Sequence, residues 1–270
     1  MSLFKQIKNK VASAIVGKTK CQKFFETLDL FALRGMNIGG GKNPQISGEK
    51  VAMVYIKDKL HSLPEVIIFD VGANIGQSCI AEKEVFGDKA KVYSFEPSRK
   101  TFQALQRNVK GLIGVQSFNF GFGEANTKLV LFSNADESGL ASVYQRKLDH
   151  FNIQMSKKEE VEIRTLDTFC QKNSIDRIHF LKLDVEGNEM KVLEGAKKML
   201  SNGAIDYIQF EFGGCNIDSR TYFQDYYYFL KGNYTIYRIV RDGLFEIKQY
   251  KEMYEAFMTT NYLAEKKRVR

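Results

Sequence analysis

The sequence predicts an α/β fold in which a mostly parallel sheet is covered by helices on both faces. Three observations predict it. From residue 65 onward, short apolar runs alternate with segments of helical periodicity. The first of these runs, Val66–Val71 (VIIFDV), is continuously apolar, as a strand buried on both faces requires. It ends directly in the turn Gly72-Ala73-Asn74-Ile75-Gly76, placed as the first strand-to-helix turn of an open sheet.

The elements follow in chain order. Residues 3–16 set Phe4, Ile7, Val11 and Ile15 at helical spacing among Lys5, Lys8 and Lys10. This basic amphipathic pattern suits a helix on an anionic membrane surface, one on a partner, or one packed on its own domain. A second helix is expected over 20–34, then a glycine-rich loop over 35–41. After Val66–Val71 a helix runs to about Phe86, and 91–96 (KVYSFE) is the second strand. Pro97 ends that strand and Ser98 is placed to cap a helix over 100–109. A third strand is expected over 115–120, and 127–133 with 160–165 read as an antiparallel pair around a polar insertion, 126–165. The fourth strand (177–185), a helix (189–200), the fifth strand Ile205–Phe212 and a helix near 219–231 continue the alternation. The end reads as a hairpin, Tyr234–Val240 and 244–250 around Asp242-Gly243. Residues 1–50 are set apart as an N-terminal helical extension and loop, with 51–270 as the catalytic-type domain.

Composition narrows the function. Cys21, Cys79, Cys170 and Cys215 have no CxxC spacing and the three histidines are far apart, so no zinc site or disulfide scaffold is expected and no metal ligands are assigned. The absence of a long apolar run or a secretory pattern points to the cytoplasm. The net charge of +8 sits at the ends: six lysines and no acid occupy the first 25 residues, and Lys266, Lys267, Arg268 and Arg270 the last five. The middle is nearly balanced, which is the pattern of solvated tails rather than of a nucleic-acid groove.

Strand ends carry the chemistry in such a sheet. The loop 70–77 (DVGANIGQ) has G-x-x-x-G spacing, unlike the G-x-G-x-x-G of a dinucleotide site, and no Gly-Lys-Ser/Thr of a Walker A loop follows. It therefore suits a ligand without a pyrophosphate. Glu96, about twenty residues on, is placed to accept hydrogen bonds from both hydroxyls of a ribose. Asp184 and Glu186 end the fourth strand and Glu211 lies in the fifth, where acids are costly unless hydrated or paired. They are candidates for catalysis or ligand orientation, with helix capping by Glu186 or Asn188 as the structural alternative.

At these residues the chain resembles the FkbM family of S-adenosylmethionine-dependent methyltransferases. The matching stretches are DVGANIGQ (70–77), FEP (95–97), N-x-G-x-G (119–123), RTLDTF (164–169), LKLDVEGNEMKVLEGA (181–196) and IQFEFG (208–213), with GMNIGGG (35–41), SGE (47–49) and NYLAEK (261–266). The resemblance implies a Rossmann-like, class I methyltransferase fold with a seven-stranded sheet, S-adenosylmethionine as cofactor, and methyl transfer to a hydroxyl oxygen. The family's acceptors include sugars of surface polysaccharides and lipopolysaccharide, and small molecules. Carried over by position, Asp70, Gly72, Asn74 and Gly76 form the cofactor loop, Glu96 takes the ribose, and Asn119 and Phe120 lie by the adenine. Asp184 and Glu186 face the transferred methyl group, and Glu211 shapes the acceptor site.

As general base, Asp184 ranks first, Glu186 second and His150 third. The polar insertion, with Asp136-Glu137-Ser138-Gly139, is a candidate lid. The alternatives are an RNA-directed methyltransferase and a cofactor-binding module without catalysis. No nucleic-acid partner is expected, and the N-terminal helix is the candidate for peripheral contact with the inner face of a membrane.

Overall fold

The structure is a computed structural model that describes residues 14–40 and 47–267. The basic segment 3–16 lies outside the described residues up to residue 13, as does Gly41, the last residue of the glycine-rich loop. The first helix described, α1, is Gln22–Gly35.

Eight strands form the main sheet: β1 (Val66–Val71), β2 (Ala90–Phe95), β3 (Val115–Phe118), β7 (Ile178–Leu183), β8 (Ile205–Phe212), β9 (Tyr234–Val240), β10 (Gly243–Glu246) and β11 (Thr260–Lys266). Their order is β3-β2-β1-β7-β8-β11-β9-β10. β1, β2, β3, β7 and β8 pair in parallel, whereas β11 is antiparallel to both its neighbours and β10 is antiparallel to β9. The chain winds outward through β1, β2 and β3, then returns to the other side of β1 as β7. The crevice between β1 and β7 is thus the switch point, where ligands of such sheets sit.

A smaller sheet is built from β4 (Gly121–Phe122), β6 (Lys157–Arg164) and β5 (Thr127–Ser133), with β5 and β6 antiparallel as the insertion predicts. Helices α2 (Glu49–Lys59) and α3 (Gln77–Phe86) cover one face of the main sheet, meeting Ile68, Val92 and Phe180 in one apolar cluster. The other face carries a core of Phe69, Phe95, Phe120, Phe122 and Phe169 with the strands' alternate residues.

Several elements differ from expectation. β11, unread as a strand, inserts between β8 and β9 and raises the expected seven strands to eight. Paired on both edges, Thr260 to Ala264 are all buried, so no polar–apolar alternation marks it. Helix α2 was also unmarked, because its buried positions are only Ala52, Met53 and Ile56. The strand at 115–120 stops at Phe118, where the Asn119 side chain donates to the Glu96 and Pro97 carbonyls and turns the chain toward the small sheet. Ser98 occupies the N-cap of α4 (Arg99–Asn108) but makes no side-chain cap bond; its backbone N–H donates instead to Oε1 of Glu96.

The helix expected over 189–200 is two, α6 (Glu189–Glu194) and α7 (Lys197–Ser201). At the break, Gly195 packs so close to the Gly123 carbonyl that a Cβ would overlap it. From α5 (Leu166–Lys172), Asp167 accepts from the backbone N–H groups of Lys198 and Met199, capping α7. The helix near 219–231 likewise divides into α8 (Cys215–Ser219) and α9 (Phe223–Leu230) at Arg220, whose φ is 58°. The hairpin's second strand ends at Glu246 rather than at 250.

Candidate functional site

One register level of the sheet is polar. Ser94, Asp70, Lys182 and Gln209 stand side by side on β2, β1, β7 and β8, facing α2 and α3. All four are buried, as is Glu82 of α3, and Gln209 Nε2 donates to Oε1 of Glu49 at 2.8 Å. Burial pushes the Asp70 carboxyl up to about 6, against the pull of the Lys182 ammonium, and pushes Glu82 well above the usual carboxylate range. Burial alone would lower Lys182; the carboxylates of Asp184, Asp70 and Glu49 outweigh it and hold the ammonium above its ordinary value. Lys182 Nζ donates to Oδ2 of Asp184 at 3.0 Å. Asp70 is therefore a fully buried support beneath the glycine turn, not a wall of the cavity above it.

The turn itself is dictated by two close approaches. Gly72 has φ 85°, and a Cβ there would overlap the Asp184 carbonyl oxygen, so the β1 and β7 loops touch through a glycine. Gly76, φ 94°, is the N-cap of α3 and faces Leu105 of α4 and Val109 at that helix's C-cap. Between them Asn74 takes a left-handed φ of 47° and donates its backbone N–H to Oε2 of Glu96 at 3.1 Å. Glu96, just past β2, is buried, and burial pushes its carboxyl up to about 7 despite bonds from the Ser98 and Asn74 backbone.

The loop after β7 is held from below. Glu189, completely buried, accepts from the N–H groups of Val185 and Gly187, and the Tyr226 hydroxyl donates to it at 3.4 Å. Neither Glu186 nor Asn188 caps α6; Asn188 Nδ2 donates to the Phe122 carbonyl instead. Glu186 has φ 53° and pairs with Arg146, which the insertion brings in and which also lies 3.9 Å from Asp218. Ser142 Oγ of the same insertion donates to the Glu186 carbonyl at 2.7 Å.

Two cavities meet here. A narrow one of about 60 Å³ is lined by Gly72, Asn74, Glu96, Asp184, Glu186 and Asn188, with an apolar wall of Pro97, Phe122, Leu131 and Ile163. Ser138, Gly139, Ala141 and Val143 of the insertion cover it. A second cavity, about 540 Å³, is lined by Asp184, Glu186, Glu211, Arg146 and Cys215, with Phe151, Phe257, Met258 and Gly39. Asp184 and Glu186 belong to both walls. Burial, reinforced by the acids around it, holds the Glu211 carboxyl well above the usual range.

The structure thus brings together Gly72, Asn74, Glu96, Asp184 and Glu186 around one cavity and sets Glu211 in the other. Asn119 and Phe120 line neither. Phe120 is a core residue with the Arg164 guanidinium 4.0 Å from its ring centre, and Phe122 takes the place at the wall. His150 is exposed beside Phe151 and lines neither cavity. Sequence reasoning missed Lys182, Glu189 and Arg146. Lys182 had a signal, as the one charge inside the apolar run HFLKL; Arg146 had none, since its partner is 40 residues away.

An adenosyl cofactor fits these residues on an observation independent of any likeness. Asn74 Oδ1 is buried at the first cavity with no hydrogen-bond partner among the described residues, an acceptor directed where a ligand donor is needed. Beside it, the Glu96 carboxylate is positioned to take ribose hydroxyls.

A family model described as the methyltransferase FkbM domain matches residues 70–237. The chain is 29% identical over 143 residues to "Methyltransferase 1" of Beauveria bassiana, covering 47% of this chain and 57% of that protein. It is 24% identical over 156 residues to the 2-O-methyltransferase NoeI of Sinorhizobium fredii, covering 54% and 64%. With the hexuronic acid methyltransferase AglP of Haloferax volcanii it shares 27% over 140 residues, covering 50% and 52%. The chain spans a little over half the length of these curated relatives. With a match over more than half its own length, on the strands and loops that build the site, the chain belongs to the FkbM methyltransferase domain family.

Proposed function

We propose that the protein is an S-adenosylmethionine-dependent O-methyltransferase acting on a hydroxyl of a sugar, of the surface polysaccharide or lipopolysaccharide type, or of a small molecule. One observation carries the reading: Asp184 and Glu186 form the partition between a cavity bearing the Glu96 carboxylate and a second, larger cavity. A donor on one side and an acceptor on the other meet at that wall. The relatives NoeI and AglP, a 2-O-methyltransferase and a hexuronic acid methyltransferase, favour a sugar hydroxyl.

When bound, S-adenosylmethionine supplies a methyl group on a sulfonium that is already a good leaving group. Glu96 would hold the ribose, and Asn74 Oδ1 would accept from a donor of the cofactor beside it. Pro97, Phe122, Leu131 and Ile163 supply an apolar bed for the adenine, while Asn119 braces the Glu96–Pro97 turn from behind. The segment 138–143 moves aside to admit the cofactor into so narrow a cavity, and its closure excludes water. Alignment of the acceptor oxygen supplies much of the rate, about 7–11 kcal/mol in favourable cases.

Asp184 accepts the hydroxyl proton, its far oxygen anchored by Lys182. Glu186, paired with Arg146, fixes the partition. Glu211, whose carboxyl burial holds above the usual range, lines the acceptor side of the second cavity. The enzyme works in the cytoplasm, at the inner face of a membrane where its acceptor is lipid-borne. The test is methyl transfer from labelled cofactor to a panel of glycans: Asp184→Asn lowers turnover by roughly 10²–10⁴-fold with cofactor binding retained. Turnover close to wild type in that variant contradicts the assignment of the base.

A further inference from the structure

We infer that the protein docks on an anionic lipid bilayer through α1 and the apolar rim of the second cavity, so that the hydroxyl it methylates is carried on a lipid. This rests on the methyl-transfer reading for the chemistry, while the docking surface stands on its own observations.

Helix α1 has no buried residue. At 3.6 residues per turn Phe24, Phe25, Leu28, Phe31 and Ala32 fall on one face, and Glu26 and Asp29 lie off it. Three of that stripe are openly solvated: Phe24 is 61% exposed, Leu28 48% and Phe31 74%. Large apolar side chains grouped in this way on a surface mark an interaction face. No helix among the described residues is long and apolar enough to cross a membrane, so the geometry is that of a helix lying in the interface.

Charge selects the partner. Lys18, Lys20 and Lys23 stand at the entry to α1, preceded in the sequence by Lys5, Lys8 and Lys10, and the first acid in the chain is Glu26. A run of cations feeding an apolar stripe matches anionic headgroups above an acyl layer. A second copy is a poorer occupant. A helix of this length offers a stripe of about 200 Å², against roughly 800 Å² per partner in a stable interface.

The chain leads from the stripe to the site within a few residues. Four residues beyond α1, Gly39 lines the second cavity, beside Met258. The connection is anchored, for Ile38 is buried and Asn37 Nδ2 donates to the Ser47 and Ile239 carbonyls at 3.0 Å each. The rim carries its own exposed apolar groups. Phe151 of the cavity wall is 58% exposed and Ile217, on the helix that presents Cys215, is 50% exposed. Tyr222 meets the wall residue Phe257 at 5.9 Å between ring centres. An exposed Phe151 on the cavity wall, with Ile217 and Tyr222 on the elements next to it and the amphipathic α1 joined to it along the chain, suits an acceptor whose sugar enters the cavity while its lipid stays in the bilayer.

The experiment is co-sedimentation of the full chain with phosphatidylcholine vesicles and with mixed phosphatidylcholine–phosphatidylglycerol vesicles, alongside calorimetric titration of S-adenosylhomocysteine. Wild type is expected to sediment with the anionic vesicles and far less with the neutral ones. The double variant Phe24→Ser/Phe31→Ser is expected to lose about tenfold of that binding, with unchanged affinity for S-adenosylhomocysteine. Ile217→Ser is expected to weaken it by a smaller factor. Sedimentation of the α1 variant at the wild-type level overturns the inference, as does a wild type that binds S-adenosylhomocysteine and stays in the supernatant. So does a dimer that the α1 variant converts to monomer without any vesicle binding. Vesicle binding by a wild type that takes no S-adenosylhomocysteine leaves the docking surface standing and removes the methyl-transfer reading instead.

Discussion

The Lys182 ammonium lies 3.0 Å from Oδ2 of Asp184, joining the proposed base to a buried polar row that crosses four strands of the sheet. Lys182 is the cation among Asp70, Glu82 and Glu49 as well as Asp184. Lys182 is buried but Asp184 is 40% exposed, so losing the ammonium costs less than for a fully buried pair, about 1–3 kcal/mol. Lys182→Met is therefore expected to lose that much stability in urea unfolding. A loss below about 1 kcal/mol contradicts the account of the row.

Asp70 and Glu189 make stability depend on pH in a defined direction. Burial raises the first to about 6 and the second to about 7, so both bind protons more tightly folded than unfolded. Their contribution is fully present below the unfolded carboxylate value, near 4, and is lost as the pH rises through those two values. Each is worth about 3 kcal/mol. Between pH 4 and 8 the stability of wild type is expected to fall relative to Asp70→Asn, with the change centred below pH 6. Against Glu189→Gln the fall extends through pH 7. Parallel curves for wild type and variants would refute the assignment.

Glu96 ties cofactor affinity to pH. In its proposed role the ionised carboxylate accepts from the ribose hydroxyls, and burial pushes that ionisation up to about 7. Affinity for S-adenosylhomocysteine is then full above about pH 7 and declines below it, approaching about tenfold per pH unit. Titrations at pH 6 and 8 check the sign; stronger binding at the lower pH is incompatible with Glu96 in this role.

At Gly72 both backbone and space forbid a side chain: φ is 85°, and a Cβ overlaps the Asp184 carbonyl oxygen. Gly72→Ala is expected to cost about 3 kcal/mol or more in thermal or urea unfolding. It also pushes the β1 and β7 loops apart, so residual folded protein binds cofactor weakly.

Arg146 joins the insertion to the partition by pairing with Glu186. Arg146→Ala removes that pairing from Glu186, which lines the second cavity with Asp184 and Glu211, and turnover is expected to fall at least tenfold while S-adenosylhomocysteine binding changes by less than threefold. Equal losses of binding and turnover place Arg146 on the cofactor side instead.

The strands that position the site were legible because their burial is continuous. VIIFDV and IQFEF read directly as β1 and β8, and the residues at or just past the strand ends (Gly72, Asn74, Glu96, Asp184, Glu186) converge on the switch point as parallel topology demands. β11 was not legible, since a strand paired on both edges can bury Thr260 and Asn261 along with Leu263. Nor were the long-range pairings. Arg146–Glu186 and Gln209–Glu49 join residues 40 and 160 apart, and residue type alone does not specify such partners. Phe120 shows the converse: its position in the motif suggested the ligand side, but the turn at Asn119 rotates it into the core and presents Phe122.

Calorimetric titration of S-adenosylhomocysteine into wild type and Glu96→Ala, with NAD as a control ligand, tests the central claim most directly. The account predicts micromolar binding to wild type, a loss of roughly 100-fold or more in Glu96→Ala, and no response to NAD. A well-folded wild type that fails to bind S-adenosylhomocysteine, or a Glu96→Ala variant that binds it equally well, would contradict it.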